Sequence, residues 1–427
     1  MVGRRVALLS EHASPLGNLG GVDSGGQNVY VGNVARELAL AGYQVDLYTR
    51  RDSPDQPERQ PWVPGVTVVH IPAGPARYVR KEELLPLMDE FAAFVQHDLA
   101  VNDGTSLLHA NFWLSGLVAA NVKRALGIPF VITFHALGRV RRLHQKEADQ
   151  FPDARFGIED RIVAEADRLI AECPQDRDDL LNLYQADPSR ITIIPCGFDP
   201  GELWPVKKEE ARAELGLDPS ERIVVQIGRM VPRKGIDNAI RGFARLVKGE
   251  GIPARMLVVG GESDEPDPAL TPEIGRLQRI ALEEGVAELV TFVGRRGRDR
   301  LRYYYSASDA FVSTPLYEPF GITPLEAMAC GTPVIGSRVG GIKFSVVDGV
   351  TGYLVPPNDP EVLGRRLADL FRNPDLSRTF GRQGIERVNR LFTWRKVAGA
   401  VKTLYGEVLG NSLKWRTEPS FSTKTAR

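Results

Sequence analysis

Residues 314–331 read TPLYEPFGITPLEAMACG, and the fold of the rest of the chain can be worked out from this stretch. An apolar run at 310–312 precedes it and another at 333–336 follows it, so the pattern predicts strand, loop, short helix and strand. Thr323 is a suitable N-cap for the helix, and Gly331 is a suitable end. In a parallel sheet such a loop lies at the carboxyl edge, where ligands bind.

Two carboxylates lie in this stretch, Glu318 on the loop and Glu326 in the predicted helix. One interpretation is a capping box, in which Thr323 and Glu326 serve only the helix end. That interpretation does not account for Glu318. The alternative is a ligand site: amides of Gly321, Ile322 and Thr323 would face an anion such as a diphosphate. The two carboxylates would then bind hydroxyl groups of a sugar and a ribose, and we favour this alternative.

The composition limits the class of protein. A chain of 427 residues predicts about two domains. The 54 basic and 54 acidic residues balance, which argues against a nucleic-acid-binding protein. The first apolar stretch is too short for a signal peptide or a membrane span, so we expect a cytoplasmic protein without integral membrane contact. Cys173, Cys196 and Cys330 lie far apart, which favours buried thiols over a disulfide framework or a zinc site.

The first half begins with a βαβ unit. A strand at 4–10 leads into a glycine-rich loop, a helix that begins after Gly25 and Gly26 and ends at Gly42, and a strand at 44–49. Paired glycines at a helix start allow the backbone to approach a phosphate. Taken alone, such a pair is weak evidence for a ligand loop, and the stretch is not the GxGxxG fingerprint of dinucleotide sites.

The alternation of strands and helices continues, with further strands at 66–71, 107–109, 129–135 and 190–195 and a helix at 81–97. This pattern predicts a parallel, doubly wound sheet. His135 falls at the carboxyl end of a strand, where catalytic side chains collect in α/β folds. For an isolated histidine, plain packing at the strand end is the competing interpretation.

The stretch 195–205 is dense in proline and glycine and predicts an interdomain linker. Strands beyond it are predicted at 222–228, 255–259, 290–292, 310–312 and 333–335, so the fold class is α/β with two Rossmann-like domains facing across a cleft. The predicted divisions are an N-terminal domain at 1–198, a C-terminal domain at 206–391, a helix at 392–410 that packs back on the first domain, and a polar tail at 411–427.

Two basic loops follow strands of the second half. Arg229 and Lys234 lie five residues apart in a turn before a helix, so both could reach one diphosphate. The competing interpretation is a solvated loop with ordinary cations. The loop 294–300 carries four arginines, Arg295 among them, and it either contacts a base or serves solubility.

Together these motifs resemble the retaining GT-B glycosyltransferases that use nucleotide-sugar donors, and the resemblance covers residues 4–410. It implies that Glu318 contacts the donor sugar and Glu326 the ribose. It implies a donor site formed by Gly25, Gly26, Arg229, Lys234, Arg295, Glu318, Phe320, Gly321, Ile322, Thr323 and Glu326. By the same resemblance, the residues that take part in catalysis are His135, Arg229, Lys234 and Glu318.

Within the family, residues 20–27 are similar to the loop of sucrose synthase and sucrose-phosphate synthase, whereas 109–116 and 81–84 are similar to the inositol-phosphate N-acetylglucosaminyltransferase of mycothiol synthesis. Phe112 and Ala136 depart from the second pattern, because that enzyme has a tyrosine and a threonine there. The identity of the acceptor therefore stays open. The expected acceptor residues are Asn28, Lys81, His109 and Arg155.

The resemblance implies hexosyl transfer from a nucleotide sugar, which we expect to be UDP-linked, to a small-molecule acceptor, with neither a cofactor nor a metal. Arg229, Lys234 and the helix-end amides would stabilise the leaving diphosphate. An NAD-dependent enzyme is disfavoured because its glycine fingerprint is missing from both first βα turns. An epimerase, which has no separate acceptor, is disfavoured because the first half carries Lys81 and the stretch 109–116 and not a second set of carboxylates. A non-catalytic sugar-nucleotide sensor and a homodimer are left open.

Overall fold

Two separate sheets organise the chain in the computed structural model, which describes residues 4–17, 25–102 and 104–417. Most of the predicted glycine-rich loop at 20–27 therefore lies outside the described residues, as does the end of the predicted tail. The predicted α/β class with two Rossmann-like domains is confirmed.

The N-terminal sheet has the strand order β3-β4-β2-β1-β5-β6-β7-β8. Its strands are β1 Arg4–Leu9, β2 Tyr43–Arg50, β3 Arg59–Val63, β4 Val66–Ile71, β5 Thr105–Asn111, β6 Phe130–Thr133, β7 Arg168–Ala171 and β8 Ile191–Ile193. The helices of this half are α1 Gly26–Leu40, α2 Met88–Val101, α3 Trp113–Leu126, α4 Gly138–Gln145, α5 Ala154–Glu165 and α6 Pro174–Tyr184. Every pairing is parallel except β3 with β4.

The C-terminal sheet is parallel throughout, with the order β11-β10-β9-β12-β13-β14. Its strands are β9 Ile223–Ile227, β10 Arg255–Val259, β11 Val290–Gly294, β12 Ala310–Ser313, β13 Val334–Ser337 and β14 Gly352–Val355. The helices that follow the linker are α7 Lys208–Leu215, α8 Ile236–Ala244, α9 Pro272–Glu283, α10 Arg298–Ala307, α11 Ile322–Ala329, α12 Ile342–Ser345, α13 Pro360–Arg372, α14 Pro374–Leu391 and α15 Trp394–Thr417. In both sheets the strand order reverses beside the first strand, which is where α/β folds bind ligands.

Three local predictions differ from the structure. The helix predicted at 81–97 is two short 3₁₀ turns followed by α2, because Pro86 lacks the N–H that a continuous helix needs. α11 begins at Ile322 with Gly321 as its N-cap, so Thr323 lies inside the first turn. The last helix extends to Thr417 and therefore includes the first residues of the predicted tail.

Helix α15 returns to the N-terminal sheet, where it packs on α1 and β5. Tyr405 and Trp394 of α15 are buried in a cluster shared with Tyr30 and Tyr43. All three cysteines are free and buried, as the sequence predicts. Among the described residues, no helix is long and apolar enough to cross a membrane.

Candidate active site

A cleft of about 690 Å³ lies between the carboxyl edges of the two sheets. Loops that follow β1, β4, β5, β6, β7 and β8 form one wall, and loops that follow β9, β10, β11 and β12 form the other. This is the position that the alternation of strands and helices predicts for a ligand site.

Glu318 lies in this cleft, 9% exposed, on the loop after β12. Lys234 Nζ donates to Glu318 Oε2 at 2.5 Å, and Arg233 Nη1 lies 3.6 Å from the same oxygen. A buried carboxylate needs such partners because desolvation penalises an unpaired charge. The sequence analysis paired Lys234 with Arg229 and missed Arg233, which is in the same loop.

Burial and charge oppose each other in this group. Burial raises the pKa of Glu318, but the charges of Lys234, Arg233 and Arg229 outweigh it and hold that pKa below its usual value. Burial lowers the pKa of Lys234 to about 8, against the opposing effect of Glu318 and with the help of both arginines. The cleft therefore holds an ionised carboxylate beside an ammonium group that loses its proton unusually easily.

Glycines without side chains shape the loop that carries Glu318. Gly341 N donates to the carbonyl oxygens of Glu318 and Pro319, at 3.3 and 3.1 Å. A Cβ atom on Gly340 would overlap the carbonyl oxygen of Glu318, and one on Gly341 would overlap the backbone of Phe320. This Gly-Gly pair after β13 is a sequence signal that was missed, although a similar pair, Gly25 and Gly26 at the start of α1, was used.

Glu326 does not serve the end of α11. Its side chain is 2% exposed, and it accepts hydrogen bonds from Arg298 Nη1 at 3.0 Å and from Tyr305 Oη at 2.9 Å. Both donors belong to α10. The capping-box interpretation is wrong, since the N-cap is Gly321 and no side-chain cap bond is formed there. Glu326 is instead a buried carboxylate at the edge of the cleft.

His135 lies in the cleft with a backbone φ of 58°, a left-handed conformation that is uncommon outside glycine and that collects at functional sites. Its Nδ1 lies 3.0 Å from Glu172 Oε1 and its Nε2 lies 3.0 Å from Asn111 Oδ1. The ring edge meets Tyr30 at a centroid distance of 4.8 Å. Both ring nitrogens are thus held by acceptor oxygens from neighbouring strand ends, and the sequence analysis missed these partners.

The two walls touch at the start of α1. A Cβ atom on Gly25 would lie 3.2 Å from Arg229 Nε, and one on Gly26 would lie 3.6 Å from Ile322 Cδ1. The glycine pair therefore lets the N-terminal backbone approach Arg229 and the first residue of α11. This brings together four of the predicted donor residues.

A second contact crosses the cleft at Tyr317. Gln145 Nε2 donates to Tyr317 Oη at 2.5 Å, and the rings of His144 and Tyr317 stack with centroids 4.9 Å apart. Helix α4 of the N-terminal domain therefore holds the residue that directly precedes Glu318.

The other predicted donor residues also line the cleft. Arg295 lies at its outer edge, 3.3 Å from Asp264 Oδ1, and Phe320 is buried against Phe392. Gly321 and Thr323 flank the first residue of α11. Every residue of the predicted donor set is therefore in one cavity.

The predicted acceptor residues divide into two pairs. Asn28 and Lys81 line the cleft, and Asn28 also bridges Gly25 N and the carbonyl oxygen of Ser14, at 2.9 Å each. His109 and Arg155 do not line the cleft, so their predicted contact with the acceptor is not supported by their positions.

His109 is fully buried between the sheet and α15, where its ring nitrogens bond the hydroxyls of Tyr405 at 2.7 Å and Thr133 at 2.9 Å. Burial, with a smaller effect of His135, lowers the pKa of His109 to about 3, so the ring is neutral. Arg155 is 1% exposed behind the wall, where it donates to Glu159 at 2.7 Å and to the carbonyl oxygen of Ala136 at 2.5 Å. Both residues therefore stabilise the N-terminal wall of the cleft without being part of its surface.

This arrangement can bind an anion and hydroxyl groups together. Cations and the amide end of α11 face the same space as Glu318, and Glu326 lies at the edge of that space. In the described part of the chain, no group of three or more histidine, cysteine, aspartate or glutamate side chains is arranged to hold a metal ion.

Comparison with known proteins agrees with this geometry. Residues 207–387 match the family of glycosyl transferases group 1, and residues 24–202 match glycosyltransferase family 4. The fold and the site thus define a two-domain glycosyltransferase of the GT-B type, and the chain belongs to this family.

The chain is similar to two named relatives and shares its fold with a third solved protein. It is 38% identical to a D-inositol 3-phosphate glycosyltransferase of Segniliparus rotundus, over 95% of this chain and 90% of the relative. The solved sucrose-phosphate synthase of Thermosynechococcus elongatus is 34% identical, with a TM-score of 0.87 over 96% of this chain and 100% of that one. Anabaena HepE, solved with UDP and glucose, shares the fold at 18% identity with a TM-score of 0.73, over 95% of this chain and 100% of that one.

Proposed function

We propose that the protein is a retaining glycosyltransferase that moves a hexosyl group from a UDP-linked sugar to a hydroxyl of a small phosphorylated sugar or polyol. The observation that carries the proposal is the buried group of Glu318, Lys234 and Arg233 beside the amino end of α11. A donor diphosphate would draw Lys234 toward itself. Glu318 would then be released to accept hydrogen bonds from sugar hydroxyls.

The chemical step follows from the charges. As the bond from the anomeric carbon to the diphosphate oxygen breaks, negative charge builds on the leaving group, and cations already in place stabilise it without reorganising. Arg229 and Lys234, with the amides at Gly321 and Ile322, are the groups that we assign to this task. We expect transfer to proceed in the presence of EDTA, because these groups supply the positive charge.

Retention would arise if the acceptor hydroxyl attacks from the face on which the diphosphate leaves. The new carbon–oxygen bond forms as the old one breaks, and the hydroxyl proton passes to the departing phosphate oxygen. His135, whose ring is held by Glu172 and Asn111, would lie next to the donor sugar. The contacts across the cleft would exclude water that otherwise hydrolyses the donor.

The acceptor class rests on two supports. The names of the two relatives each contain a phosphorylated hydroxyl compound, D-inositol 3-phosphate in one and sucrose phosphate in the other. On the N-terminal wall, Arg80, Lys81 and Arg141 line the cleft, and Arg80 and Arg141 lie 3.8 and 3.9 Å from the carboxylate of Glu82, so these cations would bind a phosphate group beside one carboxylate. Phe112 and Ala136 line it as well, and they present no hydroxyl to the acceptor.

The test is a thermal-shift and transfer screen of the pure protein in EDTA. The donors are UDP-, GDP- and ADP-linked glucose, N-acetylglucosamine and mannose, and the acceptors are D-inositol 3-phosphate, fructose 6-phosphate and their unphosphorylated forms. We expect one UDP-sugar to stabilise the protein, one phosphorylated acceptor to give product, and the product to retain the anomeric configuration by NMR. Binding without transfer to any acceptor would indicate a sensor, and no binding at all would reject the proposal.

A further inference from the structure

The segment that joins the two domains lies along α10. Every second residue of the segment 202–206 contacts α10, and each contact lies one helical turn after the one before it. Arg298 Nε donates to Glu202 Oε2 at 2.7 Å, the Arg302 guanidinium lies 4.4 Å from the ring centroid of Trp204, and Val206 N donates to Ser306 Oγ at 3.1 Å.

The spacing of these contacts is regular. Four helical residues rise about 6 Å, and two residues of extended chain span at most about 7 Å, so the two repeats stay in register over two turns. At its other end the segment is tied to the N-terminal domain. Phe198 exchanges two backbone hydrogen bonds with the start of α15, and Asp199 lies 3.9 Å from Arg36 of α1.

The same helix holds Glu326. Arg298 uses its Nε for Glu202 and its Nη1 for Glu326, while Tyr305, two turns further along α10, donates to the other carboxylate oxygen. Only the planar fork of an arginine can serve two carboxylates in fixed directions. Each carboxylate oxygen still has a second lone pair, which leaves room for a ribose hydroxyl.

We propose that Arg298 is a positioning residue: it orients the carboxylate of Glu326, the group proposed to bind the ribose. Glu202, on the interdomain segment, holds Arg298 in place. The proposal rests on the proposed function, in which Glu326 binds the ribose. Donor recognition thereby depends on a residue of the linker that does not line the cleft. A movement of the two domains relative to each other would displace Glu202 and then Arg298, and would so change the orientation of the Glu326 carboxylate.

The experiment compares three ligands by calorimetry: UDP, 2′-deoxy-UDP and 3′-deoxy-UDP. If ADP or GDP is the diphosphate that binds the wild-type protein, its two deoxy forms replace those of UDP. The variants are Glu202→Gln, Arg298→Lys and the double variant. We expect the wild-type protein to prefer the full ribose about tenfold over the form that lacks the hydroxyl bound by Glu326.

In Glu202→Gln and Arg298→Lys this preference should fall to about twofold, because the hydroxyl loses its aligned acceptor while the diphosphate contacts persist. The deoxy form should bind as it does to the wild-type protein. The double variant should be no worse than either single one, since both act through the same carboxylate. Glu202 is partly exposed, so its variant carries the test even if Arg298→Lys does not fold.

The matched control is the ion pair of Arg300 with Glu214 of α7, in which Arg300 lies on the same helix as Arg298 but neither residue lines the cleft. Glu214→Gln should leave the preference unchanged. Equal weakening of the ribose and deoxyribose forms would show that Arg298 only supports the fold, and an unchanged preference would remove it from donor recognition. A wild-type protein that binds the nucleotide but ignores the hydroxyl overturns this inference alone, whereas one that binds no nucleoside diphosphate overturns the proposed function with it.

Discussion

The two walls of the cleft use similar residues for different purposes. On the C-terminal wall, the pairs of Lys234 with Glu318 and Arg298 with Glu326 face the cavity. On the N-terminal wall, the pair of Arg155 with Glu159 lies behind the surface at an exposure near zero. Charge near the carboxyl edge of a sheet is therefore not by itself a guide to ligand contact, because some charged pairs only hold the wall together.

The largest expected effect is on the C-terminal wall. Glu318→Ala should reduce kcat/KM for transfer about a thousandfold, because the sugar hydroxyls lose their buried acceptor and Lys234 loses its partner. Steady-state kinetics with the best donor would measure this. Glu318→Gln is the control, since it keeps the volume. If that variant transfers normally, the negative charge of Glu318 has no role in the reaction and a hydrogen-bond acceptor at this position is sufficient.

A substitution behind the N-terminal wall should change the free energy of unfolding and not the activity. Arg155→Met should lower the free energy of unfolding by about 3 kcal/mol, because it leaves Glu159 buried without its charged partner. Urea denaturation would measure the loss, and adding Glu159→Gln should recover part of it. The KM for the acceptor should stay within about twofold. If that KM rises strongly while the stability stays normal, Arg155 takes part in acceptor binding after all.

A pH series separates activity from stability. Lys234 has a pKa lowered to about 8 from 10.5, so above pH 8 it becomes neutral and kcat/KM should fall about tenfold per pH unit. Between about pH 8 and 10.5 the unfolded chain holds more protons than the folded one at this residue, so its contribution to stability rises with pH.

Lys234→Arg is the control for this series, because a guanidinium keeps its charge over that range. Its activity should show no decline above pH 8. If the decline persists in the arginine variant, another group causes it.

The smallest effect concerns the contact between the walls. Gln145→Ala removes the hydrogen bond to Tyr317, which contributes about 1 kcal/mol, so the cleft should open more often and admit water. The ratio of donor hydrolysis to transfer should rise severalfold. Asn121→Ala removes a hydrogen bond with Arg161 that lies within the N-terminal domain and away from the cleft, and it should leave the ratio unchanged. Equal ratios in the two variants would remove Tyr317 from cleft closure.

The difference between the walls also explains what could be predicted. The candidate residues of the C-terminal wall follow one another in three short stretches, 229–234, 295–298 and 316–326, so their spacing together with the family resemblance was enough to group them. The N-terminal site is assembled from several strand ends that are far apart in the sequence, and the partners of His135, namely Glu172 and Asn111, are visible only when β5, β6 and β7 are side by side.

The fold was predictable from the alternation of elements, apart from two edge strands. β3 contains Pro61, which is tolerated only because an edge strand leaves its amide positions unpaired on one side. β14, a four-residue strand at the edge of the C-terminal sheet, was not predicted either. The exact start of α11 was also beyond the pattern, because a glycine in the left-handed conformation replaced the expected threonine cap.

The glycines at 340 and 341 have a consequence for how this protein can vary. They leave room for the backbone of the Glu318 loop, Gly341 N also donates to that backbone, and even the Cβ atom of an alanine would overlap it. In a saturation mutagenesis experiment read out by activity, these two positions should tolerate as little change as the carboxylates themselves, although neither residue carries any reactive group. Libraries intended to alter the sugar specificity should therefore leave this pair untouched.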